Sequence, residues 1–288
     1  MQKNSLFYLY TQIAIKQMCR DNVKRSRIME DILKARLKLL AEKYETTSFM
    51  DADPSQFTRW YSRQEDVEAA CFIAAMLSFG SRSQFIPKIR GIFELADKSG
   101  GMEKWLISRD FEKNFNEKSA NFERKGEKLP KFYRFYSFSD MNSLFSELSE
   151  ILKENGSFGE FLKKKYENLT SQDQLPGALA DLISRSFPKS KIVPKGKNSA
   201  NKRINMFLRW MVRQNSPVDI GLWSWYPASD LLIPLDVHVM QEGIRLGLLP
   251  PNAKADRKTA LALTSQMAEV FPQDPARADF ALFGLGVS

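Results

Sequence analysis

The chain has 288 residues, 43% hydrophobic and 27% charged, a balance that suits a globular protein with one large core or two modest ones. Lysine and arginine total 43 against 34 acidic residues, and the net charge of +9 favours a polyanionic partner such as nucleic acid, although many basic proteins bind none. Two cysteines, Cys19 and Cys71, exclude a disulfide framework, a structural zinc site and a four-cysteine iron-sulfur cluster, and point to a reducing intracellular compartment.

In chain order, MQKNSLFYLYTQIAIKQMCRDN holds a short apolar run broken by Thr11, Gln12 and Lys16. It is too short and too polar to span a bilayer and lacks a small-residue cleavage site, so a cytoplasmic protein is expected. Apolar residues then recur at helical spacing from Val23 to Tyr44. Glu65 and Asp66 open a helix, VEAACFIAAMLSF, that is apolar nearly all round and reads as a buried central helix ending at Gly80. Amphipathic segments follow at about 82–97, 101–108, 139–154, 157–168, 174–187, 200–214, 237–248, 256–270 and 275–286. Residues 115–138, polar and then basic-aromatic, form the best candidate for a connection between sub-lobes. No strand ladder, repeat or low-complexity tail stands out, so the fold class is all-α. Two sub-lobes are expected: 23–135 with the C-terminal helix 275–288, and 139–270 carrying a hairpin-like element at 183–214.

Between Leu182 and Arg213 there are nine basic residues and no acidic one. The window contains the turn FPKSKIVPKGKNSANK and then the helical RINMFLRWMV. A helix, a basic turn and a second helix can offer N–H and ammonium groups to a phosphate. The plainer alternative is a solvated loop before a charged helix.

Residues 202–208, KRINMFL, resemble the start of the second helix of the helix-hairpin-helix DNA glycosylases, where asparagine follows a lysine by three. Residues 234–239, PLDVHV, resemble the element that carries that superfamily's catalytic aspartate. The 34 residues from Lys202 to Asp236 exceed the spacing in endonuclease III and are similar to that of the archaeal 8-oxoguanine glycosylases. Asp279 to Gly286, DFALFGLG, resembles a run of that archaeal family whose aspartate and tryptophan contact the extruded base. The likeness covers the C-terminal third well and residues 69–80 weakly. The whole chain is similar to a bacterial family of glycosylase-like proteins. Ser199, Ala200 and Asn201 stand where the hairpin has two glycines, and Gly196 is the nearest glycine.

The resemblance implies a two-lobed helical bundle of the helix-hairpin-helix glycosylase type. The implied function is excision of a damaged base, an oxidised purine, from double-stranded DNA, with strand cleavage through a Schiff base if the enzyme is bifunctional. Lys202 is then the nucleophile and Asp236 the carboxylate beside C1′. Asp279 and Phe283 form the base pocket, Lys195, Lys197 and Arg203 bind the DNA backbone, and Arg82 or Gln84 supplies the wedge that fills the gap left by the flipped base. A monomer without metal or cofactor is expected.

Each residue also has a plainer role. Asp236 directly precedes a helix and can be its N-cap, worth about 1 kcal/mol; both roles are compatible, because a cap fixes where the second oxygen points. Asp279 and Phe283, four apart, share a helix face, and the alternative is a surface acid and a core ring. Trp223 and Trp225 suit core or loop anchors better than stacking residues. His238, the single histidine, suits a packed position better than a catalytic base. The rival functions are a non-catalytic DNA-binding or damage-sensing module and a helical protein-interaction scaffold.

Overall fold

The computed structural model describes residues 30–116, 131–196 and 198–287, and it is mostly helical. The first helix, α1, covers 30–44; the predicted start at 23–29 lies outside the described residues. Two 3₁₀ segments, Thr47–Ala52 and Pro54–Arg59, lead into α2, Gln64–Leu77. Then come α3 (Arg82–Asp97), α4 (Met102–Ile107) and a short α5 at 112–116. After the second described stretch begins, a hairpin pairs β1 (Lys131–Tyr133) with β2 (Tyr136–Ser137). The remaining helices are α6 (Phe138–Asn155), α7 (Phe158–Glu167), α8 (Ala178–Ser186), α9 (Lys202–Val212), α10 (Val237–Arg245), α11 (Arg257–Ala268) and α12 (Ala278–Val287).

Local chemistry accounts for the boundaries. α6 starts in a capping box in which Ser137 and Asp140 satisfy each other's backbone N–H. Asp236 and Asp256 cap α10 and α11. α2 ends at Leu77 rather than Gly80, because the Ser78 hydroxyl donates to the Ala74 carbonyl (2.7 Å) and Gly80 turns the chain at φ +82°. The hairpin corrects the expectation of no strand pairing. Its two-residue loop, Arg134-Phe135, lacks the Asn-Gly signature of such turns, and Arg134 itself takes φ +51°.

Two apolar clusters form, and they divide the chain differently from the expected sub-lobes. The larger collects α2 with side chains from Phe57 to Leu231, including α6, α7, α8 and α9, and with Ala276. The second joins α1 to α10, α11 and α12 through Leu37, Ala41, Val239, Leu263, Ala281 and Leu282. The cause is the shape of each apolar surface. α2 is buried all round and gathers neighbours on every side, whereas α1, α10 and α11 each present one stripe. α12 lies flush on α1, since a Cβ at Gly284 would run into the Tyr44 ring.

Buried acids lock the clusters. Glu68 of α2, 0% exposed, accepts from Gly159 N, Trp223 Nε1 and Gln64 Nε2, each at 2.8 Å. That ties α7 and the 218–231 connection to α2, and it makes Trp223 a core anchor. No helix among the described residues is long and apolar enough to cross a membrane.

Candidate functional site

A cleft of about 500 Å³ opens between the two clusters. One wall comes from the α2–α3 corner and α9, the other from α10, α12 and the 3₁₀ segments.

α9 starts from a braced turn. Glu147 of α6 accepts from Lys189 N (2.7 Å) and Ser190 N (2.8 Å), and the Ser184 hydroxyl donates to the Pro194 carbonyl at 2.7 Å. Asn201 takes the left-handed conformation, φ 48° and ψ 40°, that glycine usually supplies. Asn205 closes the turn by donating to the Ala200 carbonyl at 2.9 Å. Lys202, the first residue of α9, is thereby aimed into the cleft, with Nζ 3.9 Å from Met206 Sδ.

Asp236 meets it from the other wall. Its Oδ1 accepts from Val239 N at 2.9 Å, while Oδ2 lies 3.8 Å from Lys202 Nζ. One carboxylate thus caps α10 and faces the lysine. Both side chains keep contact with solvent, at 32% and 23% exposure, so the pair is reachable.

Asp279 and Phe283 line the same cleft from α12. Asp279 is buried and bonded by Arg209 of α9. Removal from water pushes its carboxyl up to about 6, against the lowering effect of the Arg209 guanidinium. The Phe283 ring meets Phe49 edge-to-face at 5.9 Å, and the Arg82 guanidinium sits 5.5 Å from its centre. Arg82 also pairs with Asp53 at 3.4 Å. Gln84 is exposed on α3 and is not part of the cleft wall. His238 stands exposed at the cleft edge rather than packed inside.

The expected backbone-binding residues are placed less simply. Lys195 turns its ammonium onto the Phe187 carbonyl at the end of α8, and burial lowers its pKa. Arg203 lines the cleft but donates to the Met76 carbonyl and, at 3.3 Å, to the Tyr136 hydroxyl, with its guanidinium 5.1 Å from the Phe79 ring centre. Both are committed to protein partners because each reaches a carbonyl at a helix end that needs a donor. Lys197 lies outside the described residues. Lys189 and Lys191 are also exposed, Lys191 with its ammonium 3.8 Å from Asp140 Oδ1.

Sequence reading missed Phe49, Arg209 as a pocket residue, and the hairpin. Phe135 stands at the hairpin tip, 62% exposed, with its ring 5.2 Å from Phe79 on the cleft wall. Among the described residues no group of three or more His, Cys, Asp or Glu could hold a metal ion.

The site is therefore a lysine–aspartate cleft in a helical protein, walled by an aromatic ring and a buried carboxyl. The family described as "Protein of unknown function (DUF2400)" matches residues 53–288, and the chain belongs to it. No curated protein and no solved structure matches the chain.

Proposed function

We propose that the protein is a two-lobed DNA glycosylase of the helix-hairpin-helix type that excises a damaged base, of the oxidised-purine class, from double-stranded DNA, acting as a cytoplasmic monomer. The observation that carries this reading is the approach of Lys202 Nζ to Asp236 Oδ2, 3.8 Å, in a cleft that also presents Asp279 and Phe283. Breaking an N-glycosidic bond develops positive charge on the sugar, and a carboxylate held beside C1′ stabilises that transition state more than the ground state. An ordinary lysine is neutral in only about one molecule in a few thousand at pH 7. Asp236 can take the proton as Lys202 attacks C1′, and it is held in place by its bond to Val239 N.

Two arms test the reading. Excision is measured on duplex oligonucleotides carrying oxidised, alkylated or deaminated bases, where turnover on an oxidised purine is expected. Duplex affinity is followed against salt, where a steep fall is expected. Lys189→Ala and Lys191→Ala, at exposed positions of the turn, should each shallow the log–log slope by about 1. Binding without excision would favour a non-catalytic DNA-binding module, and salt-insensitive or absent binding a protein-interaction scaffold.

A further inference from the structure

Behind the cleft lies a buried set of charges with unequal signs. Arg209 and Arg213, 3% and 2% exposed, face three buried carboxyls, Glu45, Asp219 and Asp279. Arg277 and Asp274, both partly exposed, add one charge of each sign at the edge. The buried part thus holds one carboxyl more than it has guanidinium groups, and a proton on one of them relieves the excess.

Burial raises the carboxyls of both Asp219 and Asp279, and the number of guanidinium donors on each points to the one that holds the proton. Asp219 accepts from both Arg209 (3.3 Å) and Arg213. Glu45 accepts from Arg213 (2.8 Å) and Arg277 (2.7 Å). Asp279 has Arg209 alone, and shares it with Asp219. The groups facing Asp279 are Arg209 and Lys202 on α9, Asp219 in the following connection and Asp236 at the head of α10. Arg82, from α3, and Asp53 pair with each other elsewhere in the cleft lining. Two cations and two anions nearly balance there, so burial decides. Asp279 is also the one carboxyl of the three that lines the cleft.

We propose that Asp279 is the general acid that protonates the departing base, while Asp236 serves the sugar; this rests on the glycosylase reading. When the C1′–N bond breaks, its electron pair passes to the purine. The Asp279 proton goes to a purine ring nitrogen, so the base leaves neutral. The Lys202 lone pair forms the new bond to C1′, and its surplus proton passes to Asp236. The Asp279 carboxylate left behind is held by Arg209 and regains a proton from water. Asp279 is buried and Asp236 reaches solvent, so the two carboxyls can divide acid and base duties.

The pH profile tests this. Above about 6 the protonated fraction of Asp279 falls tenfold per pH unit, while the neutral fraction of a lysine rises by about the same factor. Single-turnover excision of 8-oxoguanine from a duplex should therefore be flat from about pH 6.5 to 9 in the wild type. In Asp279→Asn it should be on the order of 10²-fold slower at pH 7 and climb with pH. An N7-methylated purine, already cationic, needs no acid. Its excision should climb with pH in the wild type itself, a readout that stands even where the variant fails to fold. Equal loss on both substrates with an unchanged flat profile, or parallel wild-type profiles for the two substrates, would overturn the proposal and leave the glycosylase reading intact. No excision of either substrate by the wild type would overturn both.

Discussion

Asp236→Asn should slow the proposed base excision by about 10²-fold or more with little change in melting temperature. Asparagine keeps an oxygen where Oδ1 accepts from Val239 N, so the cap of α10 survives. It removes the negative charge 3.8 Å from Lys202 Nζ, and with it the group proposed to stabilise positive charge on the sugar. Asp236→Leu removes cap and charge together, and should lose the same activity plus about 1 kcal/mol of stability. The check is single-turnover excision set beside thermal melting for the two variants. Equal melting losses in both would reduce Asp236 to a cap.

Arg213→Leu has the largest expected effect on stability. The guanidinium is 2% exposed and binds Asp219, Glu45 and Asp274 at once, so it joins α1, the connection after α9, and the turn before α12. Leucine fills part of the space but leaves Asp219, fully buried, with Arg209 as its remaining cation. Removing one side of a buried ion network while the other stays typically costs about 3–5 kcal/mol. At about 2–4 °C per kcal/mol for a chain of this size, melting should fall by on the order of 10 °C. Calorimetry checks this, and a fall of a degree or two would mean that water already screens the network. Since Glu45 and Arg277 belong to the same set, α1 should exchange its amides faster in the variant.

How much of this could be read from the chain depended on whether the signal was local. α2 was legible because the run from Val67 to Leu77, apolar but for Glu68, can only sit inside, and α10 because Asp236 announces its own cap. The meeting of Lys202 with Asp236 was legible only as motif order; periodicity says nothing about which helix starts face one another. The 3₁₀ segments around Phe49 have too short a run for any period to show, so a cleft wall went unseen. The hairpin was hidden by a turn built from Arg134 and Phe135, without glycine or asparagine. Arg203 looked like a phosphate ligand because charge was counted without its partners. In the fold its guanidinium closes the end of α2. The division into apolar clusters was not legible for a related reason. Sequence neighbours were grouped together, whereas α1 packs on helices about two hundred residues later.

Borohydride reduction in the presence of a duplex bearing 8-oxoguanine tests the proposed attack of Lys202 on C1′ beside Asp236. The wild type should give a covalent protein–DNA adduct. Lys202→Gln should give none while retaining nearly all of its duplex affinity, since at most one phosphate contact is lost. An adduct of undiminished yield from Lys202→Gln, or none from the wild type across oxidised, alkylated and deaminated bases, would contradict it.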